Sequence, residues 1–207
     1  MTRTRRVAIA RSAESQLCSM FVVDIAGYTD RDEEIQLYMR SALYDMLRVS
    51  FGASGIPWAR CQKQDRGDGA LIIIPSGIPA HSLVSPLLGQ LGNRLRIHNR
   101  IVTAPARMQL RAAGHIGPVY RDNHGFAGDD LNLLCRMLDA QPLRRALAVS
   151  GSDLALIVSD HFYTTVIRRR PSLTDPAAFR PLRTVVKRTP VHAWIYAPTG
   201  TSITGAS

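Results

Sequence analysis

FVVDIAGYTD, residues 21–30, is the stretch on which the reading of this chain turns. Phe21, Val22 and Val23 form a short apolar run, rich in β-branched residues, that predicts a buried strand. Asp24 ends the run, and Gly27 permits a tight backbone turn before a helix. Ile35, Met39, Leu43, Met46 and Leu47 then recur at three- and four-residue spacing, which makes one apolar helical face. A carboxylate at a strand end, followed by a small-residue turn into a helix, suits a metal-bound phosphate. The acid can hold the cation while free N–H groups and the helix dipole face the anion. A strand-end Asp that caps the next helix has the same signature, so the argument needs a second acid.

Working outward, the 207 residues fit one domain with a substantial core. Apolar content of 45% and charged content of 20% are those of an ordinary globular chain. The longest apolar runs, such as ALIII at 70–74, fall far short of the roughly 18 residues a membrane crossing needs. Thr4-Arg5-Arg6 superficially resembles a twin-arginine signal, but Arg11, Glu14 and Gln16 occupy the place of its apolar region, which argues for a cytoplasmic protein. Cys18, Cys61 and Cys135 lack metal-ligand spacing and read as reduced thiols. The net charge of +10 raises nucleic acid as a partner, yet the arginines are scattered and seldom interleaved with aromatics. A solvated basic surface is the preferred reading, with no nucleic acid and no membrane.

The pattern predicts a mobile basic arm over 1–16, one domain over 17–197 and a disordered tail over 198–207. Val7, Ala8 and Ile9 are expected to be able to pack on that domain. Strands are expected near 18–24, 58–64, 70–74, 107–112, 155–158, 183–187 and 192–196, with helices near 32–51, 84–95, 131–138, 142–148 and 159–168. DRGDG at 65–69 reads as a hairpin turn. Met108, Leu110 and Ala112 alternate as a strand with one buried face, which Gly114, Gly117 and Pro118 should kink or end, and Val119-Tyr120 is a candidate start for a partner strand. HGFAGDD at 124–130 reads as a loop, with Asp129 and Asp130 capping the helix that follows. His115 is expected to make only local hydrogen bonds, and Trp58 and Trp194 to anchor the core or an interface. The mixture lacks strict βαβ alternation and indicates an α+β fold, helices on a mostly antiparallel sheet.

Asp68 supplies the second acid. Like Asp24 it sits at a strand edge in a glycine-flanked turn, and neighbouring strands would bring both carboxylates to one end of the sheet. Such a pair suits Mg²⁺, which takes one or two carboxylates together with phosphate oxygens and water. Asn132 and Arg136 are four apart and share a helix face. Facing a phosphate, the pair could orient a sugar and stabilise charge; a surface Arg beside a capping Asn has the same spacing.

Taken in order, these motifs resemble the class III nucleotidyl cyclases, the adenylyl and guanylyl cyclase catalytic domain, with a weaker likeness to small stand-alone actinobacterial members. VVDIAGYT resembles the first metal-aspartate strand and phosphate loop, RGDGALIII the second metal motif, AAGHIG the strand before the dimer-facing hairpin, GDDLNLLCRM the Asn/Arg helix and VVKRTPVHAWIY the terminal hairpin. The resemblance implies a ferredoxin-like βαββαβ core and a head-to-tail homodimer with sites at the interface. It implies Asp24 and Asp68 as ligands to two Mg²⁺ or Mn²⁺ ions, and Ile25, Ala26, Gly27, Tyr28 and Thr29 around the phosphates. Asn132, Arg136 and Lys187 of the other chain would grip ribose and phosphates. The implied reaction converts a nucleoside triphosphate to a 3′,5′-cyclic nucleotide and pyrophosphate by in-line attack of the 3′-hydroxyl.

The departures fall at the base-reading positions, which are Gln64 and Gly125 here. Family members that use ATP carry Lys at the first position. Lys63 is adjacent, but strand alternation would point it to the opposite face. Gln64 offers both a donor and an acceptor, so purine and pyrimidine substrates both stay open. The alternative function is a cyclase-like module that no longer turns over and that binds nucleotide or a partner protein as a regulator.

Overall fold

The computed structural model describes residues 15–186 and 188–198. The expected arm up to residue 14, Lys187 and the tail from residue 199 lie outside the described residues. The first six elements are β1 (Ser15–Ile25), α1 (Glu33–Ala53), β2 (Gln62–Asp65), β3 (Gly69–Ile74), α2 (Leu87–Ile101) and β4 (Leu110–Asp122). There follow β5 (Gly125–Ala127), α3 (Asp129–Leu138), α4 (Gln141–Ser150), β6 (Leu154–Ser159) and α5 (Asp160–Phe162), which continues as a π-helical turn, Tyr163–Ile167. The hairpin β7 (Arg180–Val186) and β8 (Thr189–Tyr196) closes the series.

The sheet runs β2-β3-β1-β4-β6-β8-β7, with β5 paired to β4 off this path. Every pairing is antiparallel except β4 with β6. The first four strands and two helices therefore form a ferredoxin-like βαββαβ unit, as expected, and β6, β7 and β8 extend it.

Alternation along β1 builds two cores at once. Phe21, Val23 and Ile25 join Leu43, Leu47 and Phe51 of α1 and Leu91 and Leu95 of α2. Met20 and Val22 face the other way, onto Leu134 and Met137 of α3 and Leu143 and Leu147 of α4. Helices thus cover both faces, so β4 is buried on both sides over Leu110–His115, where one buried face was expected.

Four local expectations are corrected. Residues 58–60 form a 3₁₀ turn after Pro57, with Trp58 packed edge-on against Phe51, so the second strand starts only at Gln62. Gly114, Gly117 and Pro118 do not end β4, because all three stay paired with β1, opposite Phe21, Cys18 and Leu17. Val119 and Tyr120 accordingly continue β4, and its hairpin partner is β5, inside the stretch read as a loop. Among the described residues no helix is long and apolar enough to cross a membrane.

Candidate active site

Strand pairing brings the two acids together. Asp24 is opposite Gly69, and the Ile25 N–H donates to the Asp68 carbonyl at 2.9 Å. The approach is so close that a Cβ on Gly69 would lie 2.0 Å from the Val23 carbonyl oxygen. Glycine is therefore required beside Asp68. The hairpin itself is braced from α1: Arg40 pairs with Asp65 and donates to the Gly67 carbonyl at 2.9 Å, and the Tyr44 hydroxyl donates to Asp65 at 3.1 Å.

Asp24 is only 8% exposed, and both of its oxygens are taken by one guanidinium. Arg111 Nε donates to Oδ1 at 2.9 Å and Nη2 to Oδ2 at 2.7 Å. Burial pushes the Asp24 carboxyl up to about 6; Arg111 opposes the rise, and nearby Asp68 adds to it. Arg111 went unnoticed in the sequence, although an Arg inside the apolar run LRAAG signals a buried charge that needs a partner.

Two carboxylates with no nitrogen or sulfur donor suit a hard divalent cation in kind, although Arg111 would have to release an Asp24 oxygen to admit one. Among the described residues no group of three or more acids, histidines or cysteines gathers around an ion. Phosphate oxygens and water would have to complete such a shell.

The expected phosphate loop is narrower than its sequence. Ile25 is core, and its N–H, like that of Ala26 (to Gln109, 2.9 Å), is taken by the sheet. Gly27 turns the chain with φ 65°, and a 3₁₀ turn over Tyr28–Asp30 follows, closed by Asp30 and Arg31 N–H groups. Among the described residues no backbone carbonyl accepts from the amides of Gly27, Tyr28 and Thr29, which leaves them for an anion. Tyr28 packs its side chain on the core, while Thr29 is exposed. α1 begins only at Glu33, and its first turn already carries Glu33 and Glu34, which complement its dipole. The anion-facing amides therefore belong to the 3₁₀ turn, where the N-terminus of α1 was expected.

Gln64 and Gly125 come together: a Cβ at Gly125 would lie 3.6 Å from Gln64 Oε1. They line a cleft of about 510 Å³ with Gln62, Arg121, His124 and Phe126. Gln64 pairs with Leu71 and Lys63 with Ile72, residues of opposite cores, as alternation required. The Lys63 ammonium donates to the Trp58 carbonyl at 2.9 Å and lies over the Trp58 ring.

Asn132 is exposed and Arg136 half-buried on α3. Among the described residues the carboxylate of Asp24 is bonded by Arg111 and not by Arg136. Lys187, between β7 and β8, lies outside the described residues.

Asp130 does not cap α3, whose N-cap is Gly128. Its Oδ1 instead accepts from His115 Nε2 at 2.7 Å, while the Ser159 hydroxyl is 2.6 Å from His115 Nδ1 and accepts the Phe162 N–H at 3.1 Å. A neutral imidazole satisfies every bond: Nε2–H donates to Asp130, and Nδ1 accepts from Ser159. Burial lowers the His115 pKa, which favours that neutral form. The bonds of His115 are thus long-range, not local, and they pin the first turn of α3 to β4 and β6. Gly117 makes room, since a Cβ there would lie 2.5 Å from Asp130 Cγ. Trp194 stacks on Tyr163 at 3.6 Å and donates to Asp160 at 2.9 Å, a core-edge role.

This arrangement of strands and helices is that of the class III nucleotidyl cyclase catalytic domain. Among solved structures, the adenylate/guanylate cyclase/hydrolase of Silicibacter pomeroyi is similar at 22% identity and TM-score 0.62, covering 90% of this chain and 99% of its own. The adenylyl cyclase CyaB of P. aeruginosa matches at 15% identity and TM-score 0.59, covering 93% of this chain and 99% of its own. The guanylate cyclase domain of RhGC from Catenaria anguillulae matches at 18% identity and TM-score 0.57, covering 90% and 100%. No protein-family model and no curated protein matches the sequence. At these identities the likeness establishes the fold.

Proposed function

We propose that this chain is a cytoplasmic, homodimeric nucleotidyl cyclase that makes a 3′,5′-cyclic nucleotide from a nucleoside triphosphate. The observation that carries the reading is the convergence of Asp24 and Asp68 at one sheet end beside the free amides of Gly27, Tyr28 and Thr29. Asp24 and Asp68 would hold Mg²⁺ or Mn²⁺, which when bound supplies activation of the 3′-hydroxyl and neutralisation of charge on the leaving pyrophosphate. The amides of the 3₁₀ turn cradle the phosphates. Arg136 and Lys187 of the paired chain offset charge on the transferring phosphoryl group, and Asn132 orients the ribose. Gln64, across from a glycine, reads the base edge by one amide. Catalysis is then positioning plus electrostatics.

The test is to incubate the purified chain with Mn²⁺ or Mg²⁺ and ATP, GTP, CTP or UTP separately, with Asp24→Ala alongside, and to resolve products by mass. A cyclic nucleotide from wild type that the variant does not make is the expected result. A second reading, a regulator that binds nucleotide without turnover, is favoured by the Arg111 clamp on Asp24 and by the absence of a side chain at Gly125. Saturable nucleotide binding with no pyrophosphate release from any triphosphate would select it.

A further inference from the structure

At the end of the sheet that carries Asp24, but over its other face, arginines from three chain segments line one cleft of about 640 Å³. They are Arg31, just after the 3₁₀ turn, Arg96 and Arg100 of α2, and Arg107, ahead of β4. Asp24 and Arg111 lie on the α3/α4 face by alternation with Val22 and Ala113, whereas this cleft is walled by α2 and Met108. The turn that presents Gly27, Tyr28 and Thr29 separates the two.

The charge arrangement of the cleft is unfavourable as it stands. Among the described residues none of the four guanidinium groups makes an ion pair or a side-chain hydrogen bond. Arg96 and Arg100 are like charges four apart on one helix face. Arg31 Nε is buried with no acceptor. The neutral polar groups nearby are already used, Asn99 on both backbone groups of Met108 and Gln109 on the Ser152 carbonyl. Asp153 is the one acid on the lining. An anion with several oxygens would relieve the repulsion and supply the missing acceptor, and planar guanidinium forks match phosphate oxygens in pairs. A concave site built from separate segments suits a compact soluble ligand better than a flat surface such as a bilayer.

We propose that this cleft is a second anion site, distinct from the nucleotide cradle, that takes a soluble di- or triphosphate chain. Its occupant would bind Arg31 and so steady the turn of Gly27–Thr29 from behind. The binding claim does not depend on cyclase activity.

Titration calorimetry of the whole chain with sodium tripolyphosphate, without divalent cation and at near-physiological salt, tests it. One saturable site is expected, weakened roughly tenfold or more by Arg96→Gln with Arg100→Gln and unchanged by Arg136→Gln in the nucleotide cradle. Lysines at both positions keep the charge but lose the fork, and should restore only part of the affinity. Both arginines are exposed; should circular dichroism find that pair misfolded, Arg107→Gln, also exposed, carries the same expectation. The proposal is overturned by no saturable uptake, by uptake the cleft variants leave intact, or by an equal loss in Arg136→Gln. Cleft-dependent binding to anionic phospholipid vesicles without tripolyphosphate binding would also overturn it.

Discussion

The two halves of the candidate active site are built differently. The acid half is finished within one chain: Asp24 is buried, bonded through both oxygens, and set beside Asp68 by a backbone contact that only glycine allows. The α3 half presents Asn132 to solvent and holds Arg136 half-buried, bonded among the described residues to neither acid. A chain that gathers its acids at one sheet end and exposes Asn132 on another helix suits a site completed by a second copy. The sharpest way to break this comparison is to disable each half separately. Asp24→Ala is expected to lower cation-dependent turnover by a factor on the order of a thousand or more, and Arg136→Ala by a comparable factor. Mixing the two dead variants should then restore roughly a quarter of wild-type activity, because half the dimers are mixed and each holds one intact site. No recovery in a mixture that exchanges subunits would place both halves in one chain.

That Asp24 and Asp68 would meet was legible because an apolar strand with an Asp at its end and a Gly-Asp-Gly hairpin turn are local patterns, although a helix-capping Asp has the first of these signatures too. Asn132 and Arg136 could be placed on one helix face, but where that face points depends on packing across the sheet. Arg111, His115, Asp130 and Ser159 were missed as partners for the same physical reason. Their bonds span 15 to 87 residues, and no spacing rule connects such positions. The α+β class was readable from periodicity, and the βαββαβ core from the family resemblance of the motifs taken in order. The length of β4 was not, since Gly and Pro look like strand breakers until pairing with β1 is known.

The clamp on Asp24 gives the next largest effect. Removing one partner of a buried pair leaves a charge without compensation, so Arg111→Gln should destabilise the cation-free protein by about 3 kcal/mol. The comparison predicts a contrast: Arg144→Gln, whose partner Asp139 is exposed at 3.8 Å, should lose at most about 1 kcal/mol. Urea unfolding midpoints for both variants check this. Equal losses would mean that Asp24 simply protonates when Arg111 is gone, given a carboxyl already pushed up to about 6.

A smaller effect separates the pinned start of α3 from its exposed face. Burial lowers the His115 pKa, so the unfolded chain binds the proton more readily. Stability is therefore full above the unfolded pKa of about 6.5 and is lost as pH falls below it, at up to about 1.4 kcal/mol per pH unit. His115→Gln should lower the melting temperature at pH 7.5, because Asp130 and Ser159 lose their shared partner. It should also remove the part of the pH response between pH 7 and 5 that His115 supplies, which the raised Asp24 carboxyl opposes over the same range. A variant that keeps the wild-type slope would show that another group sets it.

The smallest effect lies at the base cleft, where one side chain faces a glycine. On the proposed reading Asp24 would work at the reacting phosphate, whereas Gln64 would touch only a base that is held alike before and during the reaction. Its loss should remove uniform binding, which raises KM and leaves kcat alone. One neutral hydrogen bond contributes about 1 kcal/mol, so Gln64→Ala should raise KM roughly fivefold for the preferred nucleotide. It should also narrow the preference among the four triphosphates, because Gly125 offers no second reader. Steady-state kinetics with each nucleotide measure both. A fall in kcat of the same size would instead place Gln64 among the groups that position the 3′-hydroxyl, and would make base recognition and chemistry one device in this chain.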